Sequence, residues 1–212
     1  MNFDDHIDLS GVFKKSPIDH GILQTSTTRA ECAISSKTRI LVLVEEEWSE
    51  VNVEDLVLPG IKEYRLLVWA DNRFMTAPAD KPKRLPVSPR TLYRITFENS
   101  EVLVCSPSTQ LGMHHRGSDP RAILHPNVAD LRVLRMDAIT KQDKLCAPIP
   151  GGYVLPSSVP ELIGTKKLEA MGIKTVQLRV LNDTDYATLY SIRVPYVGNF
   201  VLSSGAIVRC NP

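Results

Sequence analysis

No run of apolar residues in this chain is long enough to cross a membrane as a helix. The longest aliphatic stretch is ILVLV at 40–44, against the roughly 20 residues that a span needs. An excess of one charge is also missing: 25 Lys and Arg face 24 Asp and Glu, for a formal charge of +1. A general nucleic-acid binder carries a basic surplus, and the aromatic content of 6% leaves few platforms for base stacking. Nucleic acid is therefore not an expected partner. Cysteine is sparse: Cys32, Cys105, Cys146 and Cys210 stand far apart, with no CxxC pair. That removes zinc-ribbon and thioredoxin-type chemistry and favours a reducing compartment. The opening MNFDDHIDLSG is acidic and holds no apolar stretch, so the sequence predicts no secretory leader and a cytoplasmic location. There is no G-x-S-x-G, no G-x-x-x-x-G-K-[ST] and no H-E-x-x-H, which excludes the common hydrolase, P-loop and zincin signatures.

What is present is a chain of 212 residues, 43% hydrophobic, enough for one well-buried core. Residues 1–31 keep no apolar period of 2 or 3.6 and are punctuated by Gly11, Pro17 and Gly21. They read as an N-terminal arm that is loose by itself and is held either by its own β-domain or by a partner surface or neighbouring subunit. From Cys32 to Pro212 the pattern is that of short strands. TRILVLV (38–44), YRLLVW (64–69), TLYRITF (91–97) and EVLVC (101–105) are β-branched or aliphatic and bounded by turn residues. Further strands are predicted at 130–136, 176–181, 189–194 and 199–208, with a hairpin turn at Glu98-Asn99-Ser100. Helix is predicted only at 51–57 and at 158–172, the second with Ser158 as its N-cap. Residues 75–90, 112–129 and 146–160 read as long surface loops. The fold class is all-β. A faint echo between VNVEDLVLPGIKEYRLLV (51–68) and MDAITKQDKLCAPI (136–149) points to a duplicated β-unit, since each sets a polar turn before a strand.

Few side chains announce chemistry. Cys105 and Cys146 lie in apolar strand patterns and read as core residues, while Cys210, near the end of the sequence, reads as exposed. Cys32 stands where arm and β-domain meet, so its thiol is placed to attack the carbonyl just before it. His114, His115 and His125 share a loop, but their spacing matches no metal signature, and the loop is expected to be solvated. Lys81, Lys83, Arg84 and Arg90 make the loop at 75–90 basic without interleaved aromatics. No metal or cofactor is expected.

Taken in order, residues 32–211 resemble the Hint fold of inteins and hedgehog autoprocessing domains. The opening CAISSKTRILVLVEEEWSEVNVEDLVLPG resembles the family's first block, which starts at a nucleophilic Cys and reaches a V-x-D-L turn. TLYRITFENSEVLVCSPSTQLGM (91–113) resembles the block that leads into a T-x-x-H loop. TLYSIRVPYVGNFVLSSGAIVRCNP (188–212) resembles the closing block, with its HNF and terminal HN elements. The resemblance implies a compact β-fold with a pseudo-twofold duplication, long loops and one or two short helices.

For the chemistry, the resemblance implies Cys32 as the nucleophile of an N-to-S acyl shift at Glu31–Cys32. Thr109 stands where the T-x-x-H histidine belongs, and Gly198 where the histidine of HNF belongs. The terminal HN reads Arg209-Cys210 or Cys210-Asn211, so Asn211 is the family's cyclising residue in one register only. Loss of a positioned general acid costs roughly 10²–10⁴ in rate. Only Pro212 follows, with no nucleophile to accept an acyl group. The expectation is a splicing-deficient Hint-like domain retained as a structural or interaction protein in a larger assembly, such as a phage or virion component. The alternative is an autoprocessing protein that cleaves itself before Cys32.

Overall fold

The structure, a computed structural model, describes residues 32–61, 63–85, 91–114, 120–180 and 188–209. The arm at 1–31, together with His115, Arg90, Cys210 and Asn211, lies outside the described residues.

The chain opens with β1 (Ile34–Ser35) and passes directly into a four-stranded sheet. That sheet is built from β2 (Arg39–Val44), β3 (Glu47–Asn52), β4 (Arg65–Ala70) and β5 (Arg73–Pro78), in the order β3-β2-β4-β5. Its two central strands are apolar without a break because both of their faces are covered. Ile40 and Val42 pack into one hydrophobic cluster while Leu41 packs into a second. On β4 the same division puts Leu66 and Val68 in the first cluster and Leu67 and Trp69 in the second. A continuous apolar run of strand length is the sequence form of such two-sided burial.

The remaining strands are β6 (Lys83–Arg84), β7 (Thr91–Phe97), β8 (Val102–Cys105), β9 (Gln110–Met113), β10 (Ile123–His125), β11 (Val128–Arg135), β12 (Lys144–Ala147), β13 (Glu169–Val180), β14 (Leu189–Ser191), β15 (Asn199–Val201) and β16 (Ile207–Arg209). They join in a second, strongly curled sheet ordered β10-β11-β9-β12-β13-β7-β8-β1-β14-β6, with β16 also on β9 and β15 on β16. All of its pairings are antiparallel. β13 holds the two halves of this sheet together. Its first residues pair with β12 and the later ones with β7, and the register shifts between Ile173 and Thr175 where it changes partner. An irregularity of this kind bends a strand and raises its twist, which lets one strand serve two ladders. The β7–β8 hairpin closes at residues 98–100 as the turn signal implied, with Thr96 opposite Val102.

The echo in the sequence has a structural counterpart. A 3₁₀ turn at Val53–Val57 precedes β4, and another at Met136–Ala138 precedes β12. In the first, Asn52 and Asp55 form a capping box, with the Asn52 N–H donating to the Asp55 carboxylate at 3.1 Å.

Three expectations need correction. The helix at 158–172 is only Val159–Leu162, preceded by a 3₁₀ turn at Pro156–Ser158. Gly164, at φ +86°, ends it, and Glu169–Gly172 pair with β12 instead of coiling. Ser158 does not cap the helix; its hydroxyl donates to the Leu155 carbonyl at 2.8 Å. The run 199–208 is not one strand but a hairpin, since Gly205 at φ +84° turns the chain between β15 and β16. Finally, the loops at 75–90 and 112–129 contain β6, β10 and the start of β11. Among the described residues, no helix is long and apolar enough to cross a membrane.

Candidate functional site

The site forms where the start of the described fold meets its end. Ile34 pairs with Cys105, which brings the chain entering β1 alongside the turn between β8 and β9. That turn is Ser106-Pro107-Ser108-Thr109, closed by the Thr109 N–H donating to the Ser106 carbonyl at 3.1 Å. Proline at the second position presets the backbone angle that such a turn needs.

The turn grips Ala33 by both its peptide groups. The Ala33 N–H donates to Ser106 Oγ at 3.1 Å, and the Thr109 hydroxyl donates to the Ala33 carbonyl, also at 3.1 Å. The Ser106 N–H donates to that same carbonyl at 2.9 Å. Ser106 Oγ lies 3.1 Å from Thr109 Oγ1 and 3.0 Å from Ser108 Oγ, so the three hydroxyls form one network. Cys32, buried in this cradle, places its Sγ 3.7 Å from Thr109 Oγ1 and 3.2 Å from the carbonyl oxygen of Arg209 on β16. Cys32 is disulfide-bonded. Its neighbour Cys105 is free and fully buried, and burial pushes its thiol up to about 12. Cys146 is likewise free and buried, and desolvation again pushes it to about 12. Both serve the core, as their strand contexts implied.

Of the positions singled out by resemblance, the structure brings Cys32 and Thr109 into contact. Thr109 is fully buried, and its hydroxyl is already committed to Ala33 and Ser106. Gly198 takes φ +72°, a conformation that favours glycine, and its N–H donates to the Val194 carbonyl at 2.9 Å. Asn199, next to it, is fully buried and hydrogen-bonds the backbone of Trp69 on both sides. Arg209 pairs with Asn199 and Gln110 across β15 and β9, donates to the Gln110 side-chain carbonyl, and has its pKa lowered by desolvation. Asn211 lies outside the described residues.

The histidine loop is where sequence reasoning missed most. His125 is not solvated; it is 1% exposed, on β10. Its Nδ1 accepts the Asn127 N–H at 3.1 Å, which puts the proton on Nε2. Nε2 is buried and has no hydrogen-bond partner among the described residues. Burial holds this imidazole down at about 4; the Arg209 charge adds to the effect and the Gly198 backbone opposes it. His125 therefore lies near enough to Gly198 and Arg209 to feel both; the resemblance calls for histidine at the first and, in one of its two registers, at the second. No periodic signal marks it: on the same strand Ile123 and Leu124 are exposed while the histidine is buried. Among the described residues no group of three His, Cys, Asp or Glu side chains could hold a metal ion.

Comparison with known proteins gives one kind of match. No protein-family model matches the chain, and no curated protein does. Solved structures do match. An intein from a hyperthermophile superposes with a TM-score of 0.61 at 10% identity, over 84% of this chain and 99% of its own. The mini-intein of transcription factor IIB gives 0.57 at 16% identity, over 84% of this chain and 100% of its own. A DnaB intein from Synechocystis gives 0.51 at 13% identity, covering 85% and 99%. The chain has an intein-like Hint fold, and the resemblance read from the order of its sequence blocks holds at the level of architecture.

Proposed function

We propose that this chain is a splicing-deficient intein-like domain that acts as a structural or interaction protein, docking in a larger assembly through residues 1–31. The observation that carries the loss of splicing is Thr109. It occupies the place beside Cys32 where the resemblance requires a histidine, fully buried and with its hydroxyl spent on Ala33 and Ser106. An aliphatic alcohol is a poor proton donor to a departing amide nitrogen, and loss of a general acid costs roughly 10²–10⁴ in rate. The other two family positions do not compensate. Gly198 has no side chain, and the terminal position is Arg209 or Cys210 depending on register, neither of them histidine; the guanidinium of Arg209 does not give up its proton. Support for an interaction role comes from the far half of β13, where Leu178 and Val180 are 57% and 65% exposed. Apolar residues grouped on an exposed ribbon favour a partner surface. A phage or virion particle is the setting proposed with this role, by analogy alone.

Deleting residues 2–25 is expected to abolish higher-order assembly in sedimentation while leaving the melting of the β-domain unchanged. A truncated chain that assembles like the full chain would overturn the docking role of the arm.

A second reading, slow self-cleavage before Cys32, is favoured by the hydroxyl cradle, which holds Ala33 at both its N–H and its carbonyl. It requires a fragment of residues 1–31 to accumulate, and a Cys32→Ala chain to stay whole.

A further inference from the structure

β13 changes partner at Gly172, and the change leaves one of its edges open. Gly172 lies opposite Lys144 on β12, while its carbonyl accepts the Glu98 N–H at 3.0 Å from the β7 side. The two neighbours therefore stand on opposite edges of β13. β12 begins at Lys144, so past Gly172 no strand among the described residues lies along that edge. The other edge stays paired with β7 as far as Val180, opposite Thr91. The open edge ends in Val176-Gln177-Leu178-Arg179-Val180. Such edges are usually blunted by proline, lysine or a bulge. These five residues contain none of the three, and the last four of them are exposed.

We propose that residues 176–180 pair along this edge with the same residues of a second copy, antiparallel about a two-fold axis at Leu178. Two identical strands related in this way complement each other, since each offers the same backbone donors and acceptors in reverse order. The side chains select the register. Centred on Leu178, the axis sets Leu178 against Leu178, Val176 against Val180 and Arg179 against Gln177. Apolar then faces apolar, and the one cation meets an amide. Moved one residue on, the axis would oppose Arg179 to Arg179, a like-charge pair; moved one back, it would oppose Val180 to Lys174.

The face that would be joined already exists in one chain. Val176, Leu178 and Val180 share a face of β13, opposite Ile95, Tyr93 and Thr91 of β7. Val176 and Tyr93 pack against the hydrophobic cluster that contains Ile95. Pairing carries this apolar face from one chain into the next and brings Leu178 and Val180, exposed in the single chain, against apolar neighbours. The inference rests on the interaction role, for which it names a second copy as partner, and not on docking of residues 1–31. Five residues a side make a small contact, so a dissociation constant of roughly 10–100 μM is expected.

The test is sedimentation equilibrium of the full chain at concentrations on both sides of that range. The parent is expected to pass from monomer to dimer. Leu178→Lys and Leu178→Glu each set two like charges on the axis and are expected to raise the dissociation constant at least about tenfold. Leu178 is exposed, so both variants are expected to melt with the parent where the parent is monomeric. An equimolar mixture of the two is expected to recover the dimer, because lysine then faces glutamate. A parent that stays monomeric throughout, variants that associate as the parent does, or a mixture no better than its components would overturn the proposal. Failure of arm docking is a separate result, read from deletion of residues 2–25, which leaves the β13 edge intact.

Discussion

Replacing Asn199 by Ala is expected to destabilise the fold by about 3 kcal/mol, the lost worth of two buried backbone groups left without partners. The Asn199 Oδ1 accepts the Trp69 N–H at 3.0 Å, and its Nδ2 donates to the Trp69 carbonyl at 2.9 Å. Both residues are buried to 1% exposure or less, so water cannot take over. β15 packs against β4 without a ladder between them, and the side-chain amide of Asn199 supplies what a neighbouring strand would. Trp69 in turn is anchored to β11 through its indole N–H, which donates to Asp130 Oδ2 at 2.9 Å. One amide therefore ties the closing hairpin to the four-stranded sheet. For a chain of this length the melting temperature is expected to fall by about 6–12 °C. Asn199→Asp is expected to be at least as damaging at neutral pH, because a buried carboxylate would face the Trp69 carbonyl. Thermal denaturation of the variants checks this; a shift of less than a degree for Asn199→Ala would show that the amide is dispensable.

His125 sets an acid limit on stability. Its pKa is about 4 in the folded chain against 6.5 for the free group, so the unfolded chain binds a proton that the folded chain refuses. Stability is unaffected above pH 6.5, falls as pH drops through the window from 6.5 to about 4, and levels off below that. At about 1.4 kcal/mol per unit of pKa, the full loss across the window is about 3 kcal/mol. Carboxylates titrate at its lower end, so the comparison is with His125→Gln, whose amide oxygen can still accept the Asn127 N–H. Chemical denaturation between pH 7 and pH 4 is expected to show the parent losing more stability than the variant. Parallel pH profiles would mean that the imidazole is not held neutral by burial.

How much of this was legible in the sequence depends on what shaped each element. β2 and β4 could be read directly, because burial on both faces writes a continuous apolar run. The β7–β8 hairpin was marked by Asn99 and Ser100 between two apolar strands, and Ser100 does adopt φ +68°. The two 3₁₀ turns were visible as a repeat. The segment 158–172 misled because Glu169, Ala170 and Met171 favour helix by propensity, yet the open edge of β12 offered them a ladder. At the site, the Cys32–Arg209 contact spans 177 positions, and no local pattern carries a contact of that range. It was reached only through the order of the family-like blocks. His125 was lost for a different reason: its burial is imposed by strands from elsewhere in the chain, and its neighbours Ile123 and Leu124 reverse the usual pattern.

The most direct measurement is intact mass spectrometry of the full chain held for a day with and without dithiothreitol. With Thr109 and Gly198 where proton-transferring histidines would stand, and Arg209 or Cys210 at the terminal one, the expected result is a single full-length mass in both conditions, allowing for the hydrogens added on reduction. A second species beginning at Cys32, growing after reduction, would contradict the loss of autoprocessing and make Cys32 a working nucleophile.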